Sequence, residues 1–278
     1  MSLTINTNVM SLNAQRNTIY NMQSLQTTMA RLSSGLRVNT AKDDAAGLGI
    51  AERMNSQARG MTVALQNAAD GLSMVEVVDG ALSTVTDVLQ RMRDLALRAA
   101  NGTNGSVERD NLNLEFRQLA EELQRIGSQT SFNGQTILGA TVTYNFQIGA
   151  QGGQTIAVEI SRLASGAVQT VIANATSGPG IGGTGANINT ILTNLDNAIQ
   201  NIVGRRARLG AYMSRLENIM TNLRVGIEKQ QAARGRIMDA DFAAETANLS
   251  RTQILQQAGT AMIAQANQLP QNVLALLR

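Results

Sequence analysis

The chain has 278 residues, 43% of them apolar but only 3% aromatic, and it contains no cysteine, histidine or tryptophan. Without cysteine or histidine there are no disulfides, no usual zinc ligands and no common general base, so no enzyme, metal or cofactor is expected. The net charge is +3, and of the 23 basic residues only Lys42 and Lys229 are lysines. The basic residues are scattered and not interleaved with aromatics, so no nucleic-acid partner is expected.

No run approaches the roughly 20 apolar residues of a membrane-spanning helix, so no membrane partner is expected. The start, MSLTINTNVMSLNAQ, has neither a basic front nor a continuous apolar stretch, so secretion without a cleaved peptide is the expectation.

In chain order, the first helix carries Ile5, Val9, Leu12, Ile19, Met22, Leu25, Met29 and Leu32 at steps of three and four, with Arg16 in the one gap. Ser33-Ser34-Gly35 interrupts it, and Val38 to Asp44 reads as a connector. Asp43 or Asp44 can cap a second helix bearing Leu65, Ala68, Leu72, Val75, Leu82, Val85, Leu89 and Met92, which stops at Asn101-Gly102. Ser106 can cap a third, with Leu112, Phe116, Leu119, Leu123 and Ile126 as its stripe and Gly127 closing it.

Tyr144, Phe146 and Ile148 alternate, Gly149 to Gly153 turns the chain, and Ile156, Val158 and Ile160 alternate again, which predicts a β-hairpin over about 142–162. Residues 165–187 read as a Gly-rich flexible surface loop. Then Ile188, Leu192, Leu195, Ile199, Ile202, Arg206, Leu209, Met213, Leu216, Met220, Leu223 and Ile227 repeat 4-3 without a slip. Forty residues at about 1.5 Å each give a rod of roughly 60 Å that needs a partner of similar length, which residues 44–100 supply. Gly235 ends the rod, and Asp239 or Asp241 can cap the last helix.

The predicted fold is mainly α: a long antiparallel helical rod or coiled coil formed by the N- and C-terminal halves, with a small β-hairpin region in the middle. The ends are its most telling feature. From Met1 to Ala30 the only charge is Arg16, and from Thr252 to Leu277 there is none. A solvent-facing helix normally carries charge on its outer face. Neutral amides opposite an apolar stripe therefore read as assembly surfaces, centred on Ile5, Val9, Leu12 and Ile19 at one end and Leu249, Leu255, Met262 and Leu269 at the other.

The stretches SLNAQRN, MARLSSGLRVNTAKDDAAGLGIAERM and QANQLPQNVLALLR resemble bacterial flagellin, over Met1 to about Gly139 and about Ile188 to Arg278. The middle departs from larger flagellins, which carry outer domains there, so this chain resembles a minimal form. The resemblance implies a non-enzymatic subunit of a helical homopolymer, the motility filament, secreted through a type III export channel. It implies residues 1–45 with 238–278 as the terminal coiled-coil domain lining the filament's inner tube, and 46–237 as the surrounding rod domain. It also implies an export chaperone on the C-terminal segment, and cap and hook-junction proteins as partners.

A host innate immune receptor is implied at LQRMRDLA, through Arg91, Leu95 and Glu115; Asp94 stands where many relatives have Glu. The alternatives are a hook–filament junction protein, disfavoured by QANQLPQNVLALLR, and a secreted coiled-coil effector or adhesin, which would form a discrete oligomer.

Overall fold

The computed structural model describes residues 7–183 and 185–276, apart from the side chains of 185, 186 and 269–276. Helix α1 spans Val9–Ser34, α2 Ala45–Ala100, α3 Ser106–Gln129, α4 Gly166–Thr176, α5 Gly185–Met238 and α6 Phe242–Leu276. Strands β1 (Ser131–Phe132) and β2 (Gln135–Thr136) form one hairpin, and β3 (Val142–Gln147) and β4 (Thr155–Ile160) another. The mainly helical class with a small central hairpin is as expected from sequence.

The chain divides into two compact units, at Gln57/Ala58 inside α2 and at Ile227/Glu228 inside α5. Both cuts lie well inside the expected boundaries near 45 and 238. The reason is a small cluster in unit 1: Val38 of the connector packs with Ala51 of α2 and Met238 of α5, flanked by Leu36, Leu48 and Ile237. The ends of the two long helices therefore belong with the connector. Asp44 caps α2 by accepting from the Gly47 N–H at 2.8 Å, while Asp43 ties the connector by accepting from the N–H groups of Asn39 and Thr40 and the Thr40 hydroxyl. Asp241 caps α6 by accepting from the N–H groups of Ala243 and Ala244.

Unit 2 is built on the antiparallel run of α2 against α5. The heptad column Ile188, Leu195, Ile202, Leu209 and Leu216 is buried every seventh residue, and Leu192, Ile199, Met213 and Met220 flank it half-buried. Arg206, the polar member of the stripe, makes a two-pronged ion pair with Asp79 across the seam at 2.8 and 3.2 Å. Arg93 pairs with Asp196 further along, at 2.6 Å. Phe116, Ala120 and Leu123 of α3 close one side of this core. The β3–β4 register sets Phe146 opposite Ile156 and Tyr144 opposite Val158, and β4 buries Ile156, Val158 and Ile160. Gly71 of α2 lets the hairpin approach: a Cβ there would stand 3.2 Å from the Phe146 ring.

Four expectations need correction. Residues 165–183 and 185–187 are not a flexible loop: α4 buries Val168, Val171, Ile172 and Ala175, the 3-10 turn at Gly180–Gly182 buries Ile181, and α5 begins at Gly185. Gly178, Gly180 and Gly182 suggested mobility, but Asn113 of α3 holds this segment by accepting the Ile181 N–H at 3.0 Å. Helix α5 passes through Gly235 to Met238, and α3 runs past Gly127 to Gln129. The cap position of α3 is Gly105, without a side-chain bond, rather than Ser106. The short β1–β2 hairpin was legible and missed: its turn is Asn133-Gly134, both at positive φ, the type I′ signature.

Two outcomes follow from this packing. Leu89 is fully buried, so Leu89→Ala should cost about 2–5 kcal/mol through the cavity it leaves, read as a lower urea midpoint of unit 2. The backbone N–H and hydroxyl of Thr40 hold the Asp43 carboxyl below its ordinary value of 3.8. A depressed carboxylate stabilises fully above the unfolded value, and that stabilisation is lost as pH falls through the folded value. The amide resonances of Asn39 and Thr40 should therefore titrate with a midpoint below 3.8; a midpoint at or above it would contradict the tie.

Candidate assembly interface

In unit 1, α1 and α6 lie side by side and antiparallel. Asn8 caps α1 by accepting from the Ser11 N–H, and its amide donates to the Ala266 carbonyl of α6 at 2.7 Å. The Ser11 hydroxyl donates to Asn267 Oδ1 at 2.8 Å. At the other end, Arg31 pairs with buried Glu245 at 3.1 Å. Gly35 then takes positive φ, and its N–H bonds the Arg31 carbonyl, ending α1.

The seam between these points is a heptad series on both helices. From α1, Ser11, Ala14, Thr18, Asn21, Leu25, Thr28 and Leu32 are buried or half-buried; from α6, Glu245, Leu249, Thr252, Gln256, Gly259, Ile263 and Ala266 are. Most of these side chains are small or polar, so the helices approach closely: a Cβ at Gly259 would come within 2.7 Å of the Thr18 hydroxyl. Such a seam buries little apolar area, and its strength is correspondingly low.

Apart from Leu25, Leu32, Leu249 and Ile263, the large apolar side chains point elsewhere. Val9, Leu12 and Ile19 are 65%, 56% and 57% exposed, and Met10, Tyr20, Met22 and Met29 share the outer surface of α1. On α6, Leu255 and Met262 are 42% and 62% exposed, beside Ile254 and Phe242. Met10, Asn13 and Asn17 of α1 and Leu255, Met262 and Gln265 of α6 line one open groove of about 440 Å³. Contiguous apolar surface rimmed by amides marks a protein–protein interface.

The expected assembly residues thus separate. Val9, Leu12, Ile19, Leu255 and Met262 are presented outward, whereas Leu249 belongs half-buried to the seam. Ile5 and the Leu269 side chain lie outside the described residues. The seam itself went unread because the large residues drew the register. Its signal is the complementary series of small and polar residues at 11, 14, 18, 21 and 28.

In unit 2, Arg91 and Glu115 are exposed and paired with each other at 2.6 Å, but Leu95 beside them is 1% exposed. Among the described residues, no group of three or more His, Cys, Asp or Glu side chains is placed to hold a metal, and no helix is long and apolar enough to cross a membrane.

Two family models match the chain: the bacterial flagellin N-terminal helical region over residues 5–143 and the C-terminal helical region over 192–277. A flagellin from Halalkalibacterium halodurans is 42% identical over 275 residues, covering 99% of both chains. The flagellar filament 33 kDa core protein of Treponema phagedenis is 40% identical over 285 residues, again covering 99% of both. The solved structure of a flagellar hook-associated protein from Vibrio parahaemolyticus superposes with a TM-score of 0.60 on 71% of this chain and all of its own, at 14% identity, a likeness of fold alone. On residues 5–143 and 192–277, and on identity along nearly its whole length, the chain belongs to the bacterial flagellins, structural subunits that polymerise into the extracellular filament of the swimming flagellum.

Proposed function

We propose that the outward faces of α1 and α6 are the surfaces by which subunits join, with Val9, Leu12, Ile19, Leu255 and Met262 as the principal contacts. The observation that carries this reading is the inversion just described: small and polar residues line the intramolecular seam, and large apolar ones face out. Burying a Leu, Ile or Val side chain contributes about 1.5–3 kcal/mol, and neutral amides can bond to neighbours without the cost of an unpaired buried charge.

The same balance argues that the ends are only marginally held in a lone subunit. Ordering a residue costs about 1–2 kcal/mol of backbone entropy, and a seam of Ser, Thr, Asn and Gly offsets little of it. A chain whose ends open easily suits passage through a narrow export channel. The exposed apolar face of α6 is also the surface an export chaperone would shield before secretion, and the faces of both terminal helices are those that cap and hook-junction proteins would meet.

In the same reading, a host receptor would meet the Arg91–Glu115 pair and Asp94, supported by their exposure, and Leu95, buried beside them, would act as support from the core.

Leu12→Ser with Met262→Ser in the full chain should abolish long filaments in negative-stain electron microscopy after a salt step, with helical circular dichroism of unit 2 retained; filaments of normal length would contradict the assignment. Amides of residues 9–34 and 242–268 should exchange fast in the dilute subunit and slowly in the polymer, and equal protection in both states would count against marginal ends. Leu95→Ala should cost about 2–5 kcal/mol of stability, whereas Arg91→Ala should leave the unfolding midpoint within error yet weaken receptor activation in a reporter cell assay. An effect of Leu95→Ala on the receptor without loss of stability would place Leu95 in the contact itself.

A further inference from the structure

A peroxide finds no thiol or indole in this chain, only the thioethers of twelve methionines. Their exposure is uneven. Among the described residues, Met10, Met22 and Met29 of α1 and Met262 of α6 are 47–62% exposed, and every other methionine is buried or half-buried. Met74 and Met92 sit in the core of unit 2, with Met213 and Met220 packed against it.

The exposed methionines lie where a change at sulfur has a consequence. Met10 and Met262 line the same open groove between α1 and α6, beside Leu255 and Ala258. Met22 and Met29, seven residues apart, share one outward stripe of α1. A thioether is apolar and adapts its shape to a partner, which suits it to a packing face. Its sulfoxide is polar and chiral, and it disrupts such a face. More than half exposed, Met10 and Met262 are open to any small oxidant in solvent.

We propose that Met10 and Met262 form an oxidation site for hydrogen peroxide, and that its state decides whether a free subunit can join another. The inference rests on the reading of these outward faces as the joining surface. The sulfur lone pair attacks one peroxide oxygen, and the S–O bond forms as the O–O bond breaks. The proton of the attacked oxygen passes to the departing hydroxide, which leaves as water. Sulfur loses two electrons and the peroxide gains them. Burying the new S=O group against a neighbour then strips it of water. Joined faces shield both sulfurs, so the free subunit is the vulnerable state.

The test treats the full chain with hydrogen peroxide, once as dilute subunit and once as polymer. Peptide mass spectrometry reads each methionine, and the critical concentration after a salt step reads polymerisation. Met10 and Met262 should gain oxygen in the free subunit well before Met74 and Met92, and should stay unoxidised in the polymer. Oxidised subunits should show a critical concentration raised about tenfold or more, restored by thiol-dependent methionine sulfoxide reductases. Met10→Leu with Met262→Leu should polymerise to one extent with and without peroxide. Three results would overturn the proposal: oxidised wild type that polymerises as readily as untreated, a loss that the reductases do not reverse, or a double variant that still loses polymerisation to peroxide. With both sulfurs shielded in the polymer, those results would leave the joining surface standing. Equal oxidation of Met10 and Met262 in subunit and polymer would instead sink the joining-surface reading, and this inference with it.

Discussion

The constraint on which the proposed assembly depends is how α1 and α6 meet. Two helices that packed through their largest apolar residues would form a self-sufficient coiled coil with nothing to offer a neighbour. Here the contact runs through Ser11, Thr18, Asn21 and Thr28 against Thr252, Gln256 and Gly259, held at its ends by the Asn8–Ala266 bond and the Arg31–Glu245 pair. The hydrogen bonds and the Arg31–Glu245 pair set register and direction, while most of the large apolar side chains stay on the outside. In the proposed assembly, polymerisation is the step that removes most of that apolar surface from water.

Unit 2 follows the opposite rule. Its seam takes Leu, Ile, Val and Met inward along α2 and α5, adds Phe116 and Leu123 from α3, and closes over the β3–β4 hairpin and α4. Polar residues enter this core as cross-links, Arg206 with Asp79 and Asn67 with the Gln147 carbonyl. Such a body holds its own shape and can present a fixed surface, including the Arg91–Glu115 pair. One chain thus carries a region packed through its large apolar residues and a region that leaves many of them exposed. The cut between the two falls where Val38, Ala51 and Met238 form the last cluster of the terminal unit.

Much of this was readable from residue order. The unbroken 4-3 repeat from Ile188 to Ile227, the hairpin alternation at Tyr144–Ile160 and the charge-free ends are local patterns, and a period of 3.5 or 2 states which face must be buried. Other features were legible but masked by stronger ones: the small-residue heptad of α1 beneath its Leu and Ile stripe, and Asn133-Gly134 beside the larger hairpin. The 165–187 segment misled because Gly178, Gly180 and Gly182 signal mobility locally, whereas contacts from Asn113, some 68 positions away in the chain, hold the turn in place.

The sequence by itself determined the helical class, the central hairpin, the family and the unusual chemistry of the ends, since each is written in composition or in short-range periodicity. Only the tertiary structure decided which of two competing helical faces on α1 turns toward α6, that Leu95 lies beneath Arg91 and Glu115, and that Arg205 is held by the Arg162 carbonyl and the Ser165 hydroxyl. Those outcomes depend on which side chains from distant parts of the chain compete for the same space. Spacing along one helix names a face, and packing against another element decides what that face meets.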